Sequence, residues 1–191
     1  GPWTEAPDLM MSVGGYKPVN WDNKYYGLMT ARKALVQSRN LPAVYTLQLA
    51  GINAMINVVE KLGITTMSDK ADYGLSLALG SGEMTLLEHT AAFGVFANEG
   101  VRAEISPILK VETSLGEVLY EKDEPITQRV FDEKEIYALN YMLCDLGGHG
   151  DRIGSGRYNV QGKHVCYKTG TTNGPKDVLT MMYHQNLSVG V

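Results

Sequence analysis

The chain has 191 residues, 44% of them apolar and 20% charged, which is the composition of an ordinary globular domain with room for a sizeable core. A net charge of −4 argues against a nucleic-acid partner, because phosphate binding demands a basic face. No apolar run approaches the roughly 18 residues of a membrane span, and the polar, turn-like stretch Gly1–Asp8 lacks the form of a secretory signal.

Residues 1–27 read as an extended or loop entry, rich in Gly, Pro and polar residues as far as Asn23. Thr30 can cap a helix running through Ala31, Ala34 and Leu35 to about Ser38. Pro42 ends or restarts the chain direction. Val44, Leu47 and Ala50 mark a second helix. Gly51 interrupts it and Asn53 can cap the next, in which Ile52, Met55, Ile56, Val59 and Leu62 recur at helical spacing before Gly63. Ile64 to Gly82 reads as an ordered loop. Thr85 and Glu88 form a capping box that opens a helix from Leu86 to Ala97, closed by Gly100. Ser114-Leu115-Gly116 is the turn of a β-hairpin near 104–121. Asp132 and Glu135 form a second capping box, leading a helix with Ile136, Leu139, Leu143 and Leu146 on its apolar side and Gly147-Gly148 as its stop. Residues 28–147 are thus mainly helical.

Residues 148–191 change character. Gly147 to Gly162 holds six glycines and reads as a loop. Three β-like runs follow, Lys163 to Thr171, Asp177 to Tyr183 and Leu187 to Val191, so a helical body leads into part of an antiparallel sheet. Nothing in the spacing of Cys144 and Cys166 suggests a disulfide, and both are expected to be buried thiols. His89, His149, His164 and His184 are scattered and pair with no ligand at metal spacing, so no metal and no cofactor is expected.

Two short motifs carry chemistry. Ser38-Arg39-Asn40 lies at a helix end, and Lys168-Thr169-Gly170 lies in the first strand of the sheet, followed by Thr171-Thr172. This pair, with Ser-x-x-Lys as its third member, belongs to penicillin-binding proteins and β-lactamases. Alone, each tripeptide is weak. The run Lys17 to Gly27 with Ser38 to Val44, the block Leu79-Gly80 with Glu83 to Glu88 and Phe96 to Gly100, and Lys168 to Asn173 with Asp177 together resemble class A (bifunctional) penicillin-binding proteins. The resemblance covers about Lys17 to Val191 in the family's order.

That resemblance implies an α+β fold of the penicillin-binding transpeptidase (β-lactamase-like) kind, here partial: a helical subdomain with about three strands of the antiparallel sheet. Residues 1–191 would form one incomplete domain, with an apolar sheet face and an edge left open and poor stability alone. The family acylates a serine with a D-Ala-D-Ala stem peptide of peptidoglycan, then passes the acyl group to an amine on a neighbouring stem; β-lactams are its inhibitors. No Ser-x-x-Lys occurs in this sequence, and Thr30-Ala31-Arg32-Lys33 is the nearest pattern. The nucleophile is therefore expected before Gly1, with a membrane anchor in the same missing part and the domain extracytoplasmic. Such a fragment would be inactive alone.

By the same resemblance Ser38 would bond the missing lysine and relay a proton, and Asn40 would offer its amide to the substrate backbone. Lys168 would keep the site positive. Thr169 and Thr171 would bind the substrate carboxylate, Gly170 and Thr172 would belong to the same substrate-binding stretch, and the Thr171 N–H would be an oxyanion donor. Gly170 would make room for the nucleophile's helix. Arg39, the variable middle residue, is expected to be solvated, and Tyr167, where the family has a small residue, to serve packing. A serine β-lactamase relative and a non-catalytic peptidoglycan- or β-lactam-binding module are the alternatives.

Overall fold

The computed structural model describes residues 1–67, 73–144, 159–160, 163–172 and 177–191. Strand β1 (Glu5–Asp8) pairs antiparallel with β2 (Gly27–Thr30), Asp8 opposite Gly27 and Glu5 opposite Thr30. The entry segment is therefore more structured than a loop. Thr30 caps α1 (Ala31–Val36), its hydroxyl accepting from the Lys33 N–H.

Helix α1 ends by a pair of bonds, the Ser38 N–H to the Leu35 carbonyl and the Arg39 N–H to the Ala34 carbonyl. This closure places one residue in the left-handed region, normally glycine. Gly63 fills that position after the helix Ile52–Lys61, with φ +91° and bonds from the Gly63 N–H to the Glu60 carbonyl and from the Ile64 N–H to the Val59 carbonyl. After α1 the position belongs to Ser38, with φ +50°.

Helix α2 (Asn40–Ala50) has no cap from its own neighbours. Its first N–H groups, of Asn40 and Leu41, donate to Oδ1 of Asn20, a cap supplied from 20 and 21 residues away. Pro42 neither ends nor restarts the chain: the direction changes at Ser38 and Arg39, and Pro42 lies within the first turn of α2, where its missing N–H would have had no helical partner. Gly51, φ +87°, separates α2 from α3 (Ile52–Lys61), which turns by 94°. Gly51 holds the cap position of α3, so Asn53 is helical instead of capping.

After a 3-10 helix at Leu75–Leu79, α4 (Leu86–Ala97) begins at Thr85. The Thr85 hydroxyl accepts from the Glu88 N–H as expected. The Glu88 carboxylate also reaches across to Thr65, accepting from its N–H at 3.1 Å and its hydroxyl at 2.6 Å. These Thr65 bonds hold Glu88 below the usual carboxylate range. Strand β3 (Val101–Ala103) follows, then β4 (Lys110–Glu112) and β5 (Val118–Glu121), which form the expected hairpin, and β6 (Thr127–Arg129), which pairs with β3. Helix α5 (Glu133–Leu143) opens with both halves of the Asp132/Glu135 capping box. Leu146 and Gly147-Gly148 lie outside the described residues, as does most of the glycine-rich stretch. Strands β7 (Asn159–Val160) and β8 (Lys163–His164) pair with each other. The last three strands, β9 (Cys166–Thr171), β10 (Val178–His184) and β11 (Leu187–Gly190), form one antiparallel sheet in the order β11-β10-β9.

Two apolar clusters organise these elements. Leu47, Ile56, Val59, Ile64, Met67, Leu77 and Ala92 bind the helices to one another. Leu143, Cys166 and Tyr183 gather Leu35, Phe93, Phe96 and Leu139, joining α1, α4 and α5 to the sheet. Tyr183 stacks edge-on against Phe93 and donates to Asn140 Oδ1 at 2.6 Å; burial pushes its hydroxyl pKa far up. Gly100, φ +90°, accepts from Val130 and Phe131, and a Cβ there would stand 2.6 Å from the Phe131 carbonyl oxygen. Gly100→Ala is expected to destabilise the domain by about 2 kcal/mol or more in denaturant titration. A cost under about 0.5 kcal/mol would show that the backbone relaxes there.

The cysteines are a correction. Cys144 and Cys166 form a disulfide, with Cα atoms 4.0 Å apart. The sequence spacing conceals it because Cys144 caps the end of α5 and Cys166 opens β9, two elements brought together only by the Leu143–Cys166–Tyr183 cluster.

Candidate functional site

Lys168 and Ser38 meet. The Lys168 Nζ donates to the Ser38 Oγ, and also to the Thr169 carbonyl at 2.7 Å. The residues are 130 positions apart. The route between them is physical: Leu35 of α1 packs in the cluster with Leu139 and Leu143 of α5, and the disulfide ties the end of α5 to Cys166, just before Lys168. Tyr167, buried to 2% exposure, fixes the strand between them, the packing part expected of it.

Beyond Lys168 the strand emerges from the core. Thr169, Gly170 and Thr171 are exposed and pair with Thr180, Leu179 and Val178. Lys168 and Gly170 alternate with Thr169 and Thr171 across the strand. Among the described residues no atom stands within 4 Å of a Cβ added at Gly170. Thr172 closes toward β10: its N–H donates to the Asp177 carbonyl and its Oγ1 accepts from the Asp177 N–H. Asn40 stands at the start of α2, its side-chain amide donating to the Val19 carbonyl at 2.8 Å.

Arg39 overturns the solvated reading. It is 4% exposed. Its Nε donates to Asp8 Oδ2 at 3.0 Å, one terminal nitrogen to Asp22 Oδ2 at 2.9 Å, and the other to the Lys24 carbonyl at 2.6 Å. The Tyr26 ring lies 4.7 Å from the guanidinium carbon. Burial works against the guanidinium charge, but the Asp22 and Asp8 carboxylates outweigh it and hold Arg39 above its ordinary pKa. The Arg39 bond in turn holds Asp22 below the usual carboxylate range.

Asp8 is the centre of this network and is itself fully buried. Its Oδ1 accepts from Asn20 Nδ2 at 2.6 Å, and its Oδ2 from the Tyr26 N–H at 3.1 Å. Asn20 thus faces two ways, to Asp8 and to the first N–H groups of α2. Asp8 is not among the residues that the sequence singles out, and Asn20 and Asp22 enter only within the run Lys17 to Gly27 that carries the resemblance, with no role assigned to either. Their only signal there is indirect: an arginine inside a motif, with carboxylates in a preceding polar stretch. Among the described residues no cluster of three His, Cys, Asp or Glu stands close enough to hold a metal ion, and no single helix is long and apolar enough to cross a membrane.

Comparison with known proteins matches residues 5–178 to the family described as the penicillin binding protein transpeptidase domain. Penicillin-binding protein 1A of Aquifex aeolicus is 35% identical over 91% of this chain and 23% of its own length. Penicillin-binding protein 1A of Rickettsia bellii is 31% identical over 92% of the chain and 24% of its own length. The chain therefore spans about a quarter of these relatives. Among solved structures, PonA1 of Mycobacterium tuberculosis in complex with penicillin V superposes with a TM-score of 0.81 at 17% identity, over all of this chain and 54% of that one. The fold, the collinear motifs and the family match agree: this chain belongs to the penicillin-binding protein transpeptidase domain family, on its class A side.

Proposed function

We propose that this chain supplies the second and third motifs of a peptidoglycan D,D-transpeptidase site, which cross-links stem peptides through an acyl-serine intermediate. The observation that carries this reading is the bond between Lys168 and Ser38, made across 130 residues in a chain of this family. Serine attack needs an adjacent base and a route for the proton to the leaving amine. Ser38 Oγ, held by a cationic donor, is suited to pass that proton. Lys168 keeps the neighbourhood positive, which favours the developing oxyanion and the substrate carboxylate.

Asn40 keeps one amide proton and its carbonyl oxygen beyond the Val19 bond, enough to contact a peptide backbone. Thr169 and Thr171 lie on the exposed end of β9, where their hydroxyls can bind a carboxylate and the Thr171 N–H can face an oxyanion. Thr172 is committed to Asp177, which leaves it a supporting part in that carboxylate site. β-Lactams, which mimic the acyl donor, are the proposed inhibitors, in keeping with the penicillin V complex of PonA1. An extracytoplasmic setting is supported by the Cys144–Cys166 disulfide, since such bonds persist in oxidising compartments.

The nucleophilic serine lies outside Gly1–Val191 in this reading, because no Ser-x-x-Lys occurs within it. A fluorescent penicillin is expected to label the full-length protein covalently and to leave the isolated 191-residue chain unlabelled. Labelling of the isolated chain would place a nucleophile within it. A full-length protein that never labels would remove the transpeptidase reading.

A further inference from the structure

We propose that Arg39 is a positioning residue of this site, holding the Ser38 hydroxyl at Lys168 through an anchor built by Asp8 and Asp22. The proposal rests on the role in proton transfer given to Ser38 under the transpeptidase reading.

Ser38 occupies a left-handed position that glycine fills in the equivalent closure at Gly63. A side chain there is disfavoured because its Cβ crowds the following carbonyl, and such conformations persist only where the surroundings impose them. The helix before Ser38 has only 6 residues and offers little rigidity of its own. The segment on the other side of Ser38 is far more constrained. Where such closures usually carry an apolar contact at the next residue, this one carries a guanidinium. Its planar fork meets Asp8, Asp22 and the Lys24 carbonyl at once, which fixes the side chain in orientation as well as place. The neighbouring N–H groups of Asn40 and Leu41 are tied to the same carboxylate, through Asn20. The backbone on the C-terminal side of Ser38 is thereby pinned to β1. The peptide plane between Ser38 and Arg39 then has little freedom to rotate, and the Ser38 Oγ stays where Lys168 reaches it.

The Arg39 guanidinium is spent on Asp8, Asp22 and the Lys24 carbonyl, so in this proposal it acts through Ser38. Lysine at this position keeps the charge but can satisfy only one carboxylate and loses the fork. The turn would loosen while the fold stayed neutralised. A displacement of about 1 Å at such a site typically costs on the order of 100-fold in rate.

The test is a coupling experiment on the full-length protein carrying this chain. Acylation by a fluorescent penicillin is resolved into pre-covalent binding and an acylation rate constant. Four proteins are compared: unsubstituted, Arg39→Lys, Ser38→Ala and the double variant. Arg39→Lys is expected to lower the acylation rate constant roughly 10- to 100-fold, with pre-covalent binding within about threefold and the circular dichroism unchanged. In the Ser38→Ala background it is expected to have no further effect beyond about twofold. A loss that simply adds to that of Ser38→Ala, or no loss at all, overturns the proposal. If Ser38→Ala itself leaves acylation intact, the reading of Ser38 fails instead, and the two failures are told apart by that single variant. Should Arg39→Lys not fold, Asp22→Ala decides the matter, because it removes the outer acceptor of the guanidinium and leaves the Asp8 pair in place. Its loss of acylation, smaller and likewise absent in the Ser38→Ala background, supports the proposal; its absence overturns it.

Discussion

Lys168→Ala in the full-length protein should lower the rate of β-lactam acylation on the order of 100- to 1,000-fold, the cost of removing one well-placed polar group from an acyl-transfer site. The cause is local. Lys168 Nζ donates to Ser38 Oγ and to the Thr169 carbonyl, so alanine removes the bond that orients the proposed proton relay and the charge beside it. Lys168→Arg should recover only part, since a planar fork cannot reproduce a point donor at the same place. The fold should survive, because the buried anchors of the strand are Cys166 and Tyr167, and Lys168 is only half-buried. Stopped-flow acylation with unchanged circular dichroism would check this. Acylation within threefold of the unsubstituted protein would remove Lys168 from the site.

Asp8→Ala should have the largest effect on stability. Asp8 is fully buried and neutralises a guanidinium that is itself only 2% exposed at its side chain. Breaking a buried ion pair from one side costs about 3–5 kcal/mol, because the remaining charge has lost its compensation. Alanine would also leave Asn20 Nδ2 and the Tyr26 N–H without their carboxylate acceptor. Replacing both partners by apolar residues, Asp8→Leu with Arg39→Met, should recover a good part of the loss. Denaturant titration of the single and double variants measures it. A cost for Asp8→Ala under about 1 kcal/mol would mean that Asp22 alone suffices for Arg39.

These two expectations draw on different depths of the molecule, and the sequence shows them unequally. Lys168 and Ser38 are visible because each lies in a short motif whose residue types are fixed by chemistry. The helix starts at Thr30, Thr85 and Asp132 are visible because a cap is a contact over three residues. What Asp8, Asn20 and Asp22 hold in place is not visible, since a polar residue in a turn-rich stretch looks the same whether it meets water or a guanidinium. Arg39 reads wrongly as solvated for that reason: burial of a charge depends on partners 17 and 31 positions away. The cap of α2 is hidden in the same way, because it comes from Asn20 and not from the residues before the helix.

By itself, the sequence determined the local terms: which segments are helical, where the strands of the last sheet run, and which motif residues could do acyl-transfer chemistry. Apolar periodicity and capping act over a few residues, so they are written in order along the chain. The tertiary structure decided what depends on closure at long range. It joined Cys144 to Cys166, brought Lys168 to Ser38, and buried Arg39 against Asp8 and Asp22. Each of these needs two distant groups to leave water together. That is favourable only when packing, such as the Leu143–Cys166–Tyr183 cluster, has already brought their elements into contact.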